Sequence, residues 1–204
     1  MAKPKQPIVK WLDAGIMRIS NHLTDQECDQ IISETESFNH WQETWTPRDR
    51  ENPHGEKYRK CSMTKITTYS ELKHLDNLIF DRIGQAISKY HDKHGIIVSY
   101  DEGYKVLKYT ESDYYNMHYD SASFFSHRQI SAIIFLNDNF NGGELEFPNQ
   151  GIKIRPVKGT VLIFPSNYLY KHVVNKITDG IRYAIVTWLN SDPRWGQPNP
   201  PSME

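Results

Sequence analysis

The chain has 204 residues, 38% hydrophobic and 24% charged, with a net charge of −1 at pH 7. This fits one folded domain with a full core, and it gives no electrostatic case for nucleic acid. Two cysteines, Cys28 and Cys61, form neither a metal spacing nor a disulfide framework, so a reduced, cytoplasmic protein is expected. Residues 1–7 hold no apolar signal region and no stretch approaches a membrane span, so no membrane partner is expected.

Thr24 and Glu27 form a capping-box pattern that opens a helix running to about residue 38, with Cys28, Ile31 and Ile32 on its buried side. Residues 39–57 are polar and rich in Trp, Pro and charge, and they read as a mobile loop able to act as a lid. A second helix is expected over 70–94. Leu72, Leu75, Leu78, Ile79, Ile83, Ile87 and Tyr90 recur at helical spacing there, and Gly95 ends it.

Short β-rich runs follow at 96–100, 104–109, 130–136, 144–147, 160–164, 171–174 and 181–189, punctuated by Asn, Asp, Gly and Pro. Two helices followed by seven or more strands favour an α+β chain with a β-sandwich or jelly-roll core, the N-terminal helices packed on one sheet. One domain is expected over 1–190, helical over about 16–95 and β-rich over about 96–190. The Pro-rich residues 191–204 read as an irregular tail.

His118 and Asp120 stand two residues apart, which in an extended strand puts an imidazole and a carboxylate on one face. His172, from a distant apolar run, would complete a facial triad of two His and one carboxylate, an arrangement that suits non-haem Fe(II). H-x-D alone is weak in a chain with nine His, and a hydrogen-bonded core histidine explains His172 equally well. The Asp179-Gly180 turn would let 181–189 pair antiparallel with the strand of His172, which puts Arg182 roughly 16 Å along the sheet. Facing inward among apolar residues, Arg182 would need an anion; facing outward, it would be an ordinary edge-strand cation. His91 and His94, three apart near a helix C-terminus, lack a third ligand and read as a solvated helix end, while His22, His40, His54, His74 and His127 have no defensible partner spacing.

Several ordered blocks then carry a resemblance. They are Tyr109 with Tyr115-Asn116-Met117-His118-Tyr119-Asp120, Asn141-Gly142-Gly143-Glu144-Leu145-Glu146-Phe147-Pro148, Pro156-Val157-Lys158-Gly159-Thr160, and His172 followed by Gly180-Ile181-Arg182 and Trp188. Together they resemble the Fe(II)/2-oxoglutarate-dependent dioxygenases, in their prolyl 4-hydroxylase-like branch, over about residues 16–190. The resemblance implies a double-stranded β-helix with Fe(II) on His118, Asp120 and His172. It implies 2-oxoglutarate anchored by Arg182 and Tyr109, O2 as second cosubstrate and ascorbate as reductant. Arg59, Tyr115, Arg128 and Trp188 match positions that line the peptide channel, and no catalytic side chain is implied beyond the metal ligands.

The resemblance thus implies prolyl 4-hydroxylation of a peptide or protein, with release of succinate and carbon dioxide. Arg182 stands where many prolyl 4-hydroxylases carry Lys, and Cys61 stands at a Ser position. The alternatives are hydroxylation of a free amino acid or other small molecule, and a non-catalytic β-sandwich binding module. Nucleobase demethylation is disfavoured, because Trp188 occupies the place of a second Arg in such relatives. Oligomeric state is not legible.

Overall fold

The apolar runs of the C-terminal half become strands buried on both faces, which is why they read as continuous rather than alternating. A computed structural model describes residues 6–51, 54–122 and 125–191. The N-terminal part contains β1 (Ile8–Trp11), β2 (Met17–Ser20), α1 (Asp25–Phe38), β3 (Gln42–Glu43), α2 (Pro47–Glu51), β4 (Arg59–Lys60), β5 (Ser62–Lys65) and α3 (Lys73–His94). The strands β6 (Tyr100–Asp101), β7 (Lys105–Tyr109), β8 (Tyr114–His118), β9 (Ile130–Phe135), β10 (Asn141–Gly142) and β11 (Leu145–Phe147) follow. The last are β12 (Ile152–Ile154), β13 (Thr160–Pro165), β14 (His172–Val174), β15 (Ile177–Asp179) and β16 (Arg182–Asn190).

Among the described residues these strands form two principal antiparallel sheets. The larger runs β1-β2-β13-β9-β16-β7-β5-β3, with β6 on the end of β16; the smaller runs β12-β11-β14-β8-β4. Strand alternation divides the large sheet into two apolar faces. Leu107, Ile133, Phe135, Leu162, Phe164, Ala184 and Val186 pack inward against Leu145, Phe147, Ile154 and Val174 of the small sheet. Val106, Ile130, Ile134, Val161, Ile163 and Ile185 face the other way and meet Cys28 and Ile31 of α1 and Leu75, Ile79, Ile83 and Tyr90 of α3. This is the expected jelly-roll core, with its helices over one sheet.

The helix ends follow their local chemistry. Thr24 and Glu27 make the reciprocal capping box, and Gly95 ends α3 in the left-handed region at φ 64°. Cys28 and Cys61 are free and buried, and burial pushes the Cys28 thiol up to about 12.

Four expectations change. The N-terminal part is not purely helical: β1, β2, β3 and β5 extend the large sheet and β4 extends the small one, because both sheets need edge cover. Within residues 39–57, β3 pairs with β5, and α2 is capped by Thr46 and Asp49 exchanging hydrogen bonds. The run 96–100 finds a ladder only at Tyr100 and Asp101, since its partner β16 ends at Asn190. Finally, β16 does not pair with the strand of His172. Gly180, at φ 78°, turns the chain across the sandwich, so β14 lies in the small sheet between β8 and β11 while β16 joins the large one between β7 and β9. Of the expected tail, residues 192–204 lie outside the described residues, as do residues 1–5 of the N-terminal stretch.

Candidate metal centre and its pocket

β8 and β14 bring the two histidines face to face, with His118 directly opposite His172. Between Tyr115 and His118 the ladder slips, so three steps along β8 match two along β14. That bulge turns Tyr115 onto the face of His118, where alternation alone would separate them. Their rings stack at 3.5 Å and 15°. Asp120 lies two residues beyond the end of the strand at His118, not within it as expected.

Each histidine is held by its own backbone. His118 Nδ1 lies 2.8 Å from the Asn116 carbonyl and His172 Nδ1 lies 3.1 Å from the Tyr170 carbonyl. A carbonyl only accepts, so each Nδ1 donates and each Nε2 is left with a free lone pair. The Nε2 atoms stand 3.6 Å and 3.8 Å from the two carboxylate oxygens of Asp120. Burial, with the neighbouring His172 imidazole, holds His118 well below its ordinary value and so neutral. Burial pushes the Asp120 carboxyl up, but the His172 and His118 imidazoles, the Ser131 hydroxyl and Arg128 outweigh it and hold it at about 2. Two imidazoles with Nε2 turned inward and one carboxylate are a donor set fit for a divalent transition metal. The three ligand atoms lie within 4.8 Å of one another, and no other such group occurs among the described residues.

The cluster opens into a pocket between the sheets, lined also by Arg59, Tyr109, Tyr115, Ser131, Arg182 and Trp188. Alternation along β16 points Arg182, Ala184, Val186 and Trp188 inward, and Tyr109 of β7 pairs with Arg182. The Arg182 guanidinium lies 5.0 Å from the Tyr109 ring and 5.5 Å from Phe135. The residue is 2% exposed, its Nε has no hydrogen-bond partner, and no carboxylate pairs with it among the described residues. Burial pulls its proton affinity down. A fixed, desolvated cation facing the same pocket as the triad is a receptor for an anion.

The expected channel positions divide. Arg59, Tyr115 and Trp188 line the pocket, with the Arg59 guanidinium 4.7 Å over the Tyr115 ring. Arg128 does not line it: the guanidinium is bound to Glu102 and stacked 3.7 Å from Trp188. Other histidines are engaged elsewhere, such as His22 on the Arg82 carbonyl and His74 on Glu34. Sequence reading passed over Ser131, which donates to Asp120 Oδ2 at 2.6 Å and contacts Ser166 at 2.8 Å. The available signal was one hydroxyl at an inward position of the apolar run 130–136.

Residues 104–190 match the model of the 2OG-Fe(II) oxygenase superfamily. Fe(II), 2-oxoglutarate and O2 are the cofactor and cosubstrates it implies, and an orphaned guanidinium beside a His-Asp-His set fits them. The chain is 39% identical over 82 residues to a PKHD-type hydroxylase of Prochlorococcus marinus (strain MIT 9215), covering 38% of this chain and 36% of that protein. It is 34% identical over 74 residues to mouse (Mus musculus) prolyl 3-hydroxylase 2, covering 34% of this chain but 10% of that protein. The chain therefore spans only a fraction of the curated relatives it matches. Its fold is that of the Trichoplax adhaerens prolyl hydroxylase solved with a peptide fragment of the hypoxia-inducible factor oxygen degradation domain. The TM-score is 0.73 at 21% identity, covering 87% of this chain and 84% of that one.

Proposed function

We propose that this oxygenase hydroxylates a prolyl residue of a peptide or protein, consuming 2-oxoglutarate and O2 and releasing succinate and carbon dioxide. His118, Asp120 and His172 would hold Fe(II), with Arg182 and Tyr109 receiving the far carboxylate of 2-oxoglutarate. The observation that carries this reading is the buried, unpaired Arg182 guanidinium, which opens onto the same pocket as the triad. An uncompensated buried charge is costly, and a dianionic cosubstrate removes the cost.

Bound together, ferrous iron, 2-oxoglutarate and O2 supply the oxidising chemistry for an unactivated C–H bond. The chain supplies placement. Backbone carbonyls fix both imidazoles in the metal-binding tautomer, Ser131 fixes the carboxylate, and Arg182 orients the cosubstrate. Leu107, Ile133, Val186 and Trp188 form an apolar wall that keeps water from the reacting centre. Ascorbate would serve as reductant.

A peptide substrate is supported by the Trichoplax neighbour, whose structure is described with a peptide fragment, and by Arg59 and Tyr115 at the pocket. Oxygen at C4 follows the prolyl 4-hydroxylase-like resemblance; C3 is favoured by the name of the mouse relative. Purified protein with Fe(II), ascorbate and 2-oxoglutarate should add one oxygen to members of a proline-containing peptide panel, with fragmentation and NMR locating C4 or C3. Oxidation of free proline alone would replace the peptide with a small molecule. Binding without succinate would leave a non-catalytic module. His118→Ala and Asp120→Ala should abolish succinate formation.

A further inference from the structure

Of the three triad residues, Asp120 alone lies outside the paired strands, and nothing in the β8–β14 ladder fixes it. Its place is set by side chains. Ser131 Oγ donates to the carboxylate at 2.6 Å, and Arg128 Nη1 donates to its backbone carbonyl at 3.3 Å. The next residue, Ser121, bonds through its amide to the Ser166 carbonyl at 2.9 Å.

Arg128 is itself locked. Nε and Nη2 each donate to one oxygen of Glu102 at 2.6 Å, a two-pronged pair that fixes the guanidinium plane. The plane is sandwiched between Trp188 at 3.7 Å and Phe125 at 3.8 Å. Glu102 is anchored in turn, its amide donating to the Trp188 carbonyl at 3.0 Å. His127 and Lys105 flank the same carboxylate at 3.0 Å and 3.9 Å. An Arg with its fork occupied and both faces covered is a poor substrate receptor and a good strut.

We propose that Arg128, held by Glu102, is a positioning residue that sets the Asp120 carboxylate for the metal, not a residue that contacts substrate. The proposal rests on the reading of His118, Asp120 and His172 as a metal centre. It predicts coupling between metal affinity and an ion pair whose carboxylate lies eighteen residues before Asp120 in the chain.

Mn(II) binding, followed by the EPR signal of the free ion, tests it without turnover. Glu102→Gln and the double variant Glu102→Gln/Arg128→Met should each raise the Mn(II) Kd about 10–100-fold, as loss of a partner behind a metal ligand does. The double variant removes both charges, so it stays folded if the single variant does not. Glu27→Gln breaks the remote Arg82 pair and controls for general loosening of the fold; its Kd should match wild type. Unchanged Mn(II) affinity in the folded double variant overturns the proposal, as does an equal rise in Glu27→Gln. A wild-type protein that binds no Mn(II) overturns the metal reading itself, together with this inference.

Discussion

Arg182 illustrates at the residue scale how a group proposed to serve function can work against the stability of the fold that carries it. Its guanidinium is buried and has no carboxylate among the described residues. Arg182→Met should therefore raise the melting temperature of the ligand-free protein while weakening 2-oxoglutarate at least about 100-fold, the loss of two charge-assisted hydrogen bonds. Thermal melts with and without 2-oxoglutarate read both effects, and an unchanged affinity removes Arg182 from the cosubstrate site. Glu102 makes the opposite case. Burial pushes its carboxyl up, but Arg128, with help from Lys105 and His127, outweighs burial and holds it below its ordinary value. The stabilisation is complete above the unfolded carboxyl's value, about 4.3, and fades as pH falls below it. Urea melts from pH 7 to pH 3 should show that acid-side loss in wild type and a shallower slope in Glu102→Gln.

At the scale of elements, legibility tracks the range of the hydrogen bonds involved. The first turn of α1 is written in Thr24 and Glu27, three residues apart, and the structure contains both halves of that box. Thr24→Ala should cost about 1 kcal/mol in urea unfolding, within the usual range for a lost N-cap. The two-residue strands β3, β4 and β6 carry no such local signal, because each exists only by adding to a sheet edge already built. The bulge in β8 is similar: the chain from Tyr115 to Asp120 has the right residues, but only the register against β14 turns Tyr115 onto His118. Gly143 shows the same dependence on a distant partner. It sits at φ 65°, where a Cβ would press on the Arg182 side chain, so its need for glycine comes partly from a strand far along the sequence.

For the whole molecule, a metal clasped between two strands of the small sheet and a turn should act as a staple. With Mn(II) at 100 times its Kd, the bound state gains about 2.7 kcal/mol, or about 5–10 °C for a chain of this size. Calorimetry with EDTA and with Mn(II) checks this, and His172→Ala should remove the difference. The same scale settles how the site assembles. His118 and His172 come from one sheet and Arg182 from the other, so the proposed cosubstrate receptor and the proposed metal ligands face each other across the sandwich core rather than along a shared strand.

The long helices α1 and α3, the jelly-roll class and the choice of His118, Asp120, His172 and Arg182 as the residues that meet in one pocket were legible in the sequence by itself. They rest on local caps, on periodicity and on which residue types can serve a metal or an anion. Only the tertiary structure decided where the chain crosses between sheets after Asp179-Gly180, that Asp120 stands beyond its strand, and that Arg128 belongs to Glu102. Those outcomes depend on partners far apart in sequence, chosen by which pairing buries both faces of the large sheet and leaves the fewest charges unpaired.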